Sequence, residues 1–276
     1  MNAVIVAKKE FQDARRSKTL LALIVLFGIL GVSGPFLYTK LLAMQAPTEP
    51  ITSRGFVMFM AEFIALFVSL SAILLGYKAI AGETESGSGT LLLSLPNHRR
   101  DIVLGKLIGR ATTFAVPLAL AGLGMFAVGW VLIPGLEPVE LVVFTLVTVL
   151  FGVSFLWLII GLSAMTKHSG RAATYALGAF VLLEMLWNIV VIGSVYVENG
   201  FSFPGEAGTT VIAPYLQNLP PGTAYHNLLE QSLAMISGTA PVAPFPSSLW
   251  FAALVLVGWA VVSPLGGYLR FDSIDL

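Results

Sequence analysis

The side chains best able to do chemistry here are a few charged groups set within or between long apolar runs. Glu184 stands in the middle of VLLEMLWNIV, four residues before Asn188, a spacing that puts both on one face of a helix. Glu62 lies near the end of another apolar run. A carboxyl group at membrane depth costs on the order of 3 kcal/mol on insertion scales, so it must face protein or a water-filled cavity and is a functional candidate by default. Two roles are open for Glu184. It is either polar glue, hydrogen-bonded to Asn188 or to a neighbouring helix, or a pathway group that handles a proton or a cationic substrate. A third cluster is the polar stretch GETESGSGTLLLSLPNHRRDIVLGKLIGR over 82–110, with Glu83 and Glu85, Thr90, Pro96, Arg99 and Lys106.

Other chemistries lack their parts. Gly82 and Gly87 have the spacing of a phosphate-binding loop, but Ser88 and Gly89 follow where a lysine and a Ser/Thr are required, so this chain is expected to hold no nucleotide. His98, His168 and His226 fall on different sides of the membrane and cannot converge on one ion. Met44, Met58, Met60 and Met235 offer soft thioethers suited to copper(I), although methionines in apolar runs ordinarily pack. There is neither a G-x-S-x-G elbow nor an H-E-x-x-H pair, cysteine is absent, and the net charge is zero. No cofactor, metal or nucleic-acid partner is expected on this chain.

The elements that position these residues must be membrane helices. The chain is 57% hydrophobic and 11% charged, with a mean hydropathy of +0.88, which describes an integral membrane protein and not a soluble domain. Six apolar segments, about 20–37, 56–77, 111–133, 141–165, 172–197 and 249–269, are each near the roughly 20 residues that cross a bilayer. Pro35, Pro117 and Pro264 mark kinks. The predicted fold is therefore all-α with six transmembrane helices in a single domain, 1–276. Thirteen of the 15 Lys and Arg residues fall on one side, with Lys40 and Arg54 alone on the other. The positive-inside rule then puts both termini in the cytoplasm of a multi-pass cell-membrane protein.

Two shorter helices complete the prediction. In MNAVIVAKKEFQDARRSK, Val4, Ala7, Phe11 and Ala14 line one face, which reads as an amphipathic helix lying on the membrane surface. Between the fifth and sixth spans, a Lys- and Arg-free external loop carries Ala224, Leu228, Leu229, Leu233 and Ile236 at helical spacing, with Thr223 as the expected cap. That helix either lies on the outer surface or dips back between the last two spans.

The order of landmarks in 82–110, an acidic pair, Gly89-Thr90, the leucines 91–93, Pro96, Arg99 and Gly105-Lys106, resembles the first cytoplasmic loop of ABC type-2, export-type permeases. The layout is similar to that of the permeases of nitrous-oxide-reductase maturation systems. The resemblance implies that Glu83, Glu85, Thr90, Pro96, Arg99 and Lys106 belong to a coupling segment that touches an ATPase, and that re-entrant helices before the last span form an outer gate. It further implies two copies of an ATP-binding subunit, which carry the ATP and Mg²⁺, and a second permease copy, embedded together in membrane lipid. An ATP-independent transporter or channel, or a membrane-embedded enzyme, is the alternative; the first would show paired repeats and broken, charge-bearing helices.

Overall fold

The computed structural model describes residues 3–46, 48–87, 99–202, 210–239 and 243–272, and among these every regular element is helical. The chain runs through α1 (Ala3–Arg15), α2 (Lys18–Gln45), α3 (Ser53–Gly76), the single turn α4 (Ala81–Glu85), α5 (Arg99–Leu132) and α6 (Pro138–Ala164). It continues with α7 (Ser169–Phe180), a π-helical turn (Val181–Met185), α8 (Trp187–Glu198), α9 (Ala213–Gln217), α10 (Pro221–Ile236) and α11 (Leu249–Asp272). Five helices are long and apolar enough to cross a membrane, and a sixth span results if α7, the π turn and α8 count as one.

The helix ends follow local chemistry. The Ser17 hydroxyl accepts from Thr19 N at 3.1 Å to start α2, and Thr52 accepts from Gly55 N at 3.1 Å to start α3. Pro35 sits inside α2 with its carbonyl bonded by the Thr39 hydroxyl at 3.0 Å, so the helix continues through it. The core is built on α6, which packs against α3 on one side and α11 on the other, while α2 lies along α5. Gly161 of α6 lies on the backbone of Ser263 and against Gly267 of α11, with no room for a Cβ, the small-residue contact expected where helices cannot rely on a hydrophobic driving force.

Several elements differ from the sequence expectation. The third membrane helix starts at Arg99 and not near Ala111, because the polar residues that would end an isolated span are sheltered by α1 and α4. The predicted fifth span, 172–197, is not one straight helix: its two pieces meet at Leu186 with a bend of 55°. No proline marks that break; its cause is the π turn. Helix α1 is docked along α5 and does not merely rest on a surface. Its buried residues are Val6 and Ala7 while Val4 is exposed, so the face is rotated from the one predicted. The approach is close because Gly105 and Gly109 leave no side chain between α5 and Val6, Ala7 and Glu10.

Helix α10 dips into the fold. Ala224, Tyr225, Leu229 and Leu233 are fully buried against α6 and α11, whereas Ile236 is exposed. The Tyr225 hydroxyl is 3.0 Å from that of Thr148, ten residues along α6 and so about 15 Å below its start at a rise of ~1.5 Å per residue. The helix begins at Pro221 with Pro220 as its N-cap, so Thr223 is not the cap. Proline suits the first helical position because its missing N–H has no partner there anyway. Indole N–H groups of Trp187 and Trp259 donate to Leu216 O at 2.7 Å and Leu219 O at 2.8 Å, fixing the connection between α9 and α10.

Candidate functional site

At the end of the molecule rich in Lys and Arg, Lys106 is the centre of an ion cluster. Its ammonium donates to Glu10 Oε1 at 2.7 Å and to Glu83 Oε1 at 2.6 Å, and its side chain is 1% exposed. Arg110, one turn further along α5, donates from Nε to Glu10 Oε2 at 3.3 Å and also bonds the Leu75 carbonyl at the end of α3. One buried cation thus joins α1, α4 and α5, and its neighbour ties in α3. Burial alone would raise the Glu10 carboxyl, but the charges of Lys106 and Arg110 outweigh it and hold the group below its ordinary value.

The turn between α3 and α4 is held from behind by Ser163 near the end of α6. Its hydroxyl accepts from Ile80 N at 3.2 Å and Ala81 N at 3.1 Å, and donates to Tyr77 O at 2.7 Å. Glu85, at the end of α4, reaches the start of α7, where its Oε2 accepts from Ser169 N at 3.0 Å. A carboxylate at that place satisfies a free amide and meets the positive end of the helix dipole.

At the opposite end, the two acids flagged separately in the sequence come together. Glu62 of α3, Glu184 of the π turn and His226 of α10 line one open pocket of about 390 Å³, together with Ser69, Gly222 and Thr223. Glu184 Oε1 accepts from Gly222 N at 3.0 Å, in the first turn of α10. A Cβ at Gly222 would overlap the Glu184 carboxyl, so a larger residue here requires that side chain to move aside. His226 Nδ1 lies 3.8 Å from Glu62 Oε1, an ion pair only when the imidazole is protonated. Of the two partners open to Glu184, Asn188 lies beyond the bend and is exposed, and the contact is made instead with a neighbouring helix, through the backbone of α10.

The profile of the ABC-2 family transporter proteins matches residues 4–276. The chain belongs to the ABC-2 transporter family. It is 29% identical over 276 residues to a protein of Pseudomonas aeruginosa described as "Probable ABC transporter permease protein NosY", covering 96% of this chain and 97% of that one. It is 31% identical over 282 residues to a protein of the same description from Stutzerimonas stutzeri, with 96% of each chain covered. This ABC-2 protein is accordingly the multi-pass membrane subunit of an ABC transporter, a transport subunit and not a catalytic enzyme, and its family implies an ATP-binding partner.

Of the permease residues singled out in 82–110, Glu83 and Lys106 meet each other and Glu85 meets the start of α7. Thr90, Pro96 and the side chain of Arg99 lie outside the described residues, as do His98 and Ser88. Sequence reasoning missed Glu10, Ser163 and Gly222. Glu10 carried a usable signal, an acid on the inward face of an otherwise basic amphipathic helix; Ser163 and Gly222 carried none, because what each one contacts is distant in sequence.

Proposed function

We propose that this permease is half of an ATP-driven exporter: a second permease copy completes the pathway, and two separate ATP-binding subunits dock on the end rich in Lys and Arg, which faces the cytoplasm together with both termini. The segment 82–110 receives the stroke. Glu83 and Glu85 stand at the exposed rim of that end, while Lys106 works from inside by holding Glu83 to Glu10 and hence α4 to α1 and α5. The observation that carries this reading is the Glu10–Lys106–Glu83 bridge. A force applied to a loose loop is dissipated, but one applied to α4 is passed at once to α1 and α5, and through Glu85 to α7 and the bent fifth span. ATP and Mg²⁺ belong to the partner subunits. By this reading Glu184, Glu62 and the inserted α10 belong to the outer half of the pathway.

The test uses the complex of this chain with its ATP-binding subunit in vesicles. Glu85→Lys is expected to lower transport and substrate-stimulated ATP hydrolysis severalfold while insertion and expression stay normal, and adding Glu83→Lys, which also breaks the bridge to Lys106, is expected to lower both further and to cost stability. Single cysteines, introduced into a chain that has none, are expected to label from the cytoplasm at Ser169 and from outside at Ser202 and Ser237. Full coupling in the double charge reversal, or labelling of Ser169 from outside, overturns the proposal.

A further inference from the structure

A second cavity, of about 300 Å³, opens between α5 and α11 on the flank of the molecule. Its walls on α5 are Val103, Leu104 and Leu107, one helical face, and on α11 Val261, Pro264 and Leu265. From Arg100 to Leu107 the trough runs about 10 Å along α5 at ~1.5 Å per residue. Its floor is Trp157 of α6, held in place by an indole N–H that donates to Leu107 O at 3.0 Å. The rims are open: Leu104 is 48% exposed and Leu265 is 54% exposed. At the basic end the trough closes on Tyr268 and Arg100, and Arg100 is its one charged lining residue among the described residues. The Arg100 side chain is exposed and has no hydrogen-bond or ionic partner among the described residues.

We propose that this trough is a binding site for one anionic phospholipid, with an acyl chain laid along α5 and α11 over Trp157 and the phosphate on Arg100. The apolar walls face the bilayer, so the molecule at hand to fill them is a lipid and not water. Among the described residues the end of the groove carries a single cation and no acid, which selects a headgroup with net negative charge, and a guanidinium is the side chain best shaped for a phosphate. The lipid would brace the first turns of α5, the same helix that carries Lys106 and Arg110. The inference rests on the membrane placement of α5 and α11 and on no part of the coupling proposal, so it is read without the ATPase.

The test takes the full chain in phosphatidylcholine nanodiscs with increasing fractions of phosphatidylglycerol brominated on its acyl chains. The signal is the fluorescence lost by the parent minus that lost by Trp157→Phe, which isolates the tryptophan on the floor of the trough. Phosphatidylglycerol is expected to quench it with about fivefold preference over brominated phosphatidylcholine, the size expected of one basic residue at an anionic surface. Arg100→Gln is expected to abolish the preference while leaving quenching by both lipids equal. Native mass spectrometry of parent and Arg100→Gln, counting retained phosphatidylglycerol, gives the same comparison without the tryptophan variant. Equal quenching by both lipids in the parent, a preference that survives Arg100→Gln, or no quenching at Trp157 because protein covers the trough would each overturn the site.

Discussion

Lys106 sits between two carboxylates that take up its charge, whereas Glu184 and Glu62 share a pocket lined by no lysine or arginine among the described residues. Each place holds an acid withdrawn from solvent, Glu10 at one and Glu184 at the other, but they solve the problem differently. At the basic end the charges neutralise one another and each bond ties a separate helix to the next, so the cluster acts as a rivet. At the other end Glu184 is met by one backbone N–H and Glu62 by an imidazole at 3.8 Å, contacts that separate cheaply. The contrast suits a transporter in which one end must pass on a displacement without yielding and the other must open.

The contrast is broken most easily at Lys106. Replacement by methionine keeps much of the volume but removes the cation shared by Glu10 and Glu83, leaving Glu10 with Arg110. Breaking a buried pair costs about 3–5 kcal/mol, and the lower figure is expected because the Glu10 and Glu83 side chains keep 17% and 29% exposure. Equilibrium unfolding in mixed detergent micelles reads this, and removing the two acids as well, with Glu10→Gln and Glu83→Gln, should recover part of the loss. A Lys106→Met protein as stable as the parent would mean that the cluster is no rivet.

Gly222→Ala attacks the other end and should cost less. The added methyl group would overlap the Glu184 carboxyl, so that side chain must move aside and give up its bond to Gly222 N, at about 1–3 kcal/mol, the cost of an overpacked site. If the clash is with Glu184, combining Gly222→Ala with Glu184→Ala should cost less than the sum of the two, since the residues share one contact. Additive losses would place the strain elsewhere.

The legibility of the two ends differed for a physical reason. Apolar length is a local property, so all five long spans were readable, as were the short helix α10 and the burial of Leu229 and Leu233 on it. Acids in apolar runs are also local anomalies, and Glu62 and Glu184 stood out. What a sequence does not print is the partner. Asn188 was one of two partners open to Glu184 because four residues make one turn of a regular helix, but the π turn shifts that register and turns the carboxyl toward a neighbouring helix at Gly222. Likewise α5 was cut short at Ala111 because Lys106 and Arg110 look like loop residues until Glu10, a hundred residues away, is brought beside them.

A pH scan sharpens the comparison at smaller scale. Glu10 is held below its ordinary carboxyl value, so its contribution is present above about pH 4.3, the unperturbed value, and is lost as pH falls through the lowered one. As pH falls below about 4.3, the melting temperature of the parent should therefore drop more steeply than that of Glu10→Gln, which has no proton to gain at that position. Parallel curves would show that Glu10 is not stabilised as a carboxylate.

The smallest effect is expected from Glu184→Gln, and its smallness is the informative part. The contact to Gly222 needs only an acceptor oxygen at 3.0 Å, and the glutamine amide supplies one in the same place. The loss of charge forfeits an attraction to the start of α10 of about 0.3–1 kcal/mol, but it also removes the cost of keeping a charge at membrane depth, so stability should stay within about 0.5 kcal/mol of the parent. Glu184→Leu lacks the acceptor and leaves the Gly222 amide unpaired, at about 1–3 kcal/mol. If the carboxyl serves as a latch between the bent span and the inserted helix, transport should follow stability: near normal in the glutamine variant and reduced in the leucine variant. A glutamine variant that assembles normally with its ATP-binding partner yet transports nothing would separate the two quantities. The negative charge itself would then be what the pocket contributes, and the route of the substrate would pass between Glu184 and Glu62.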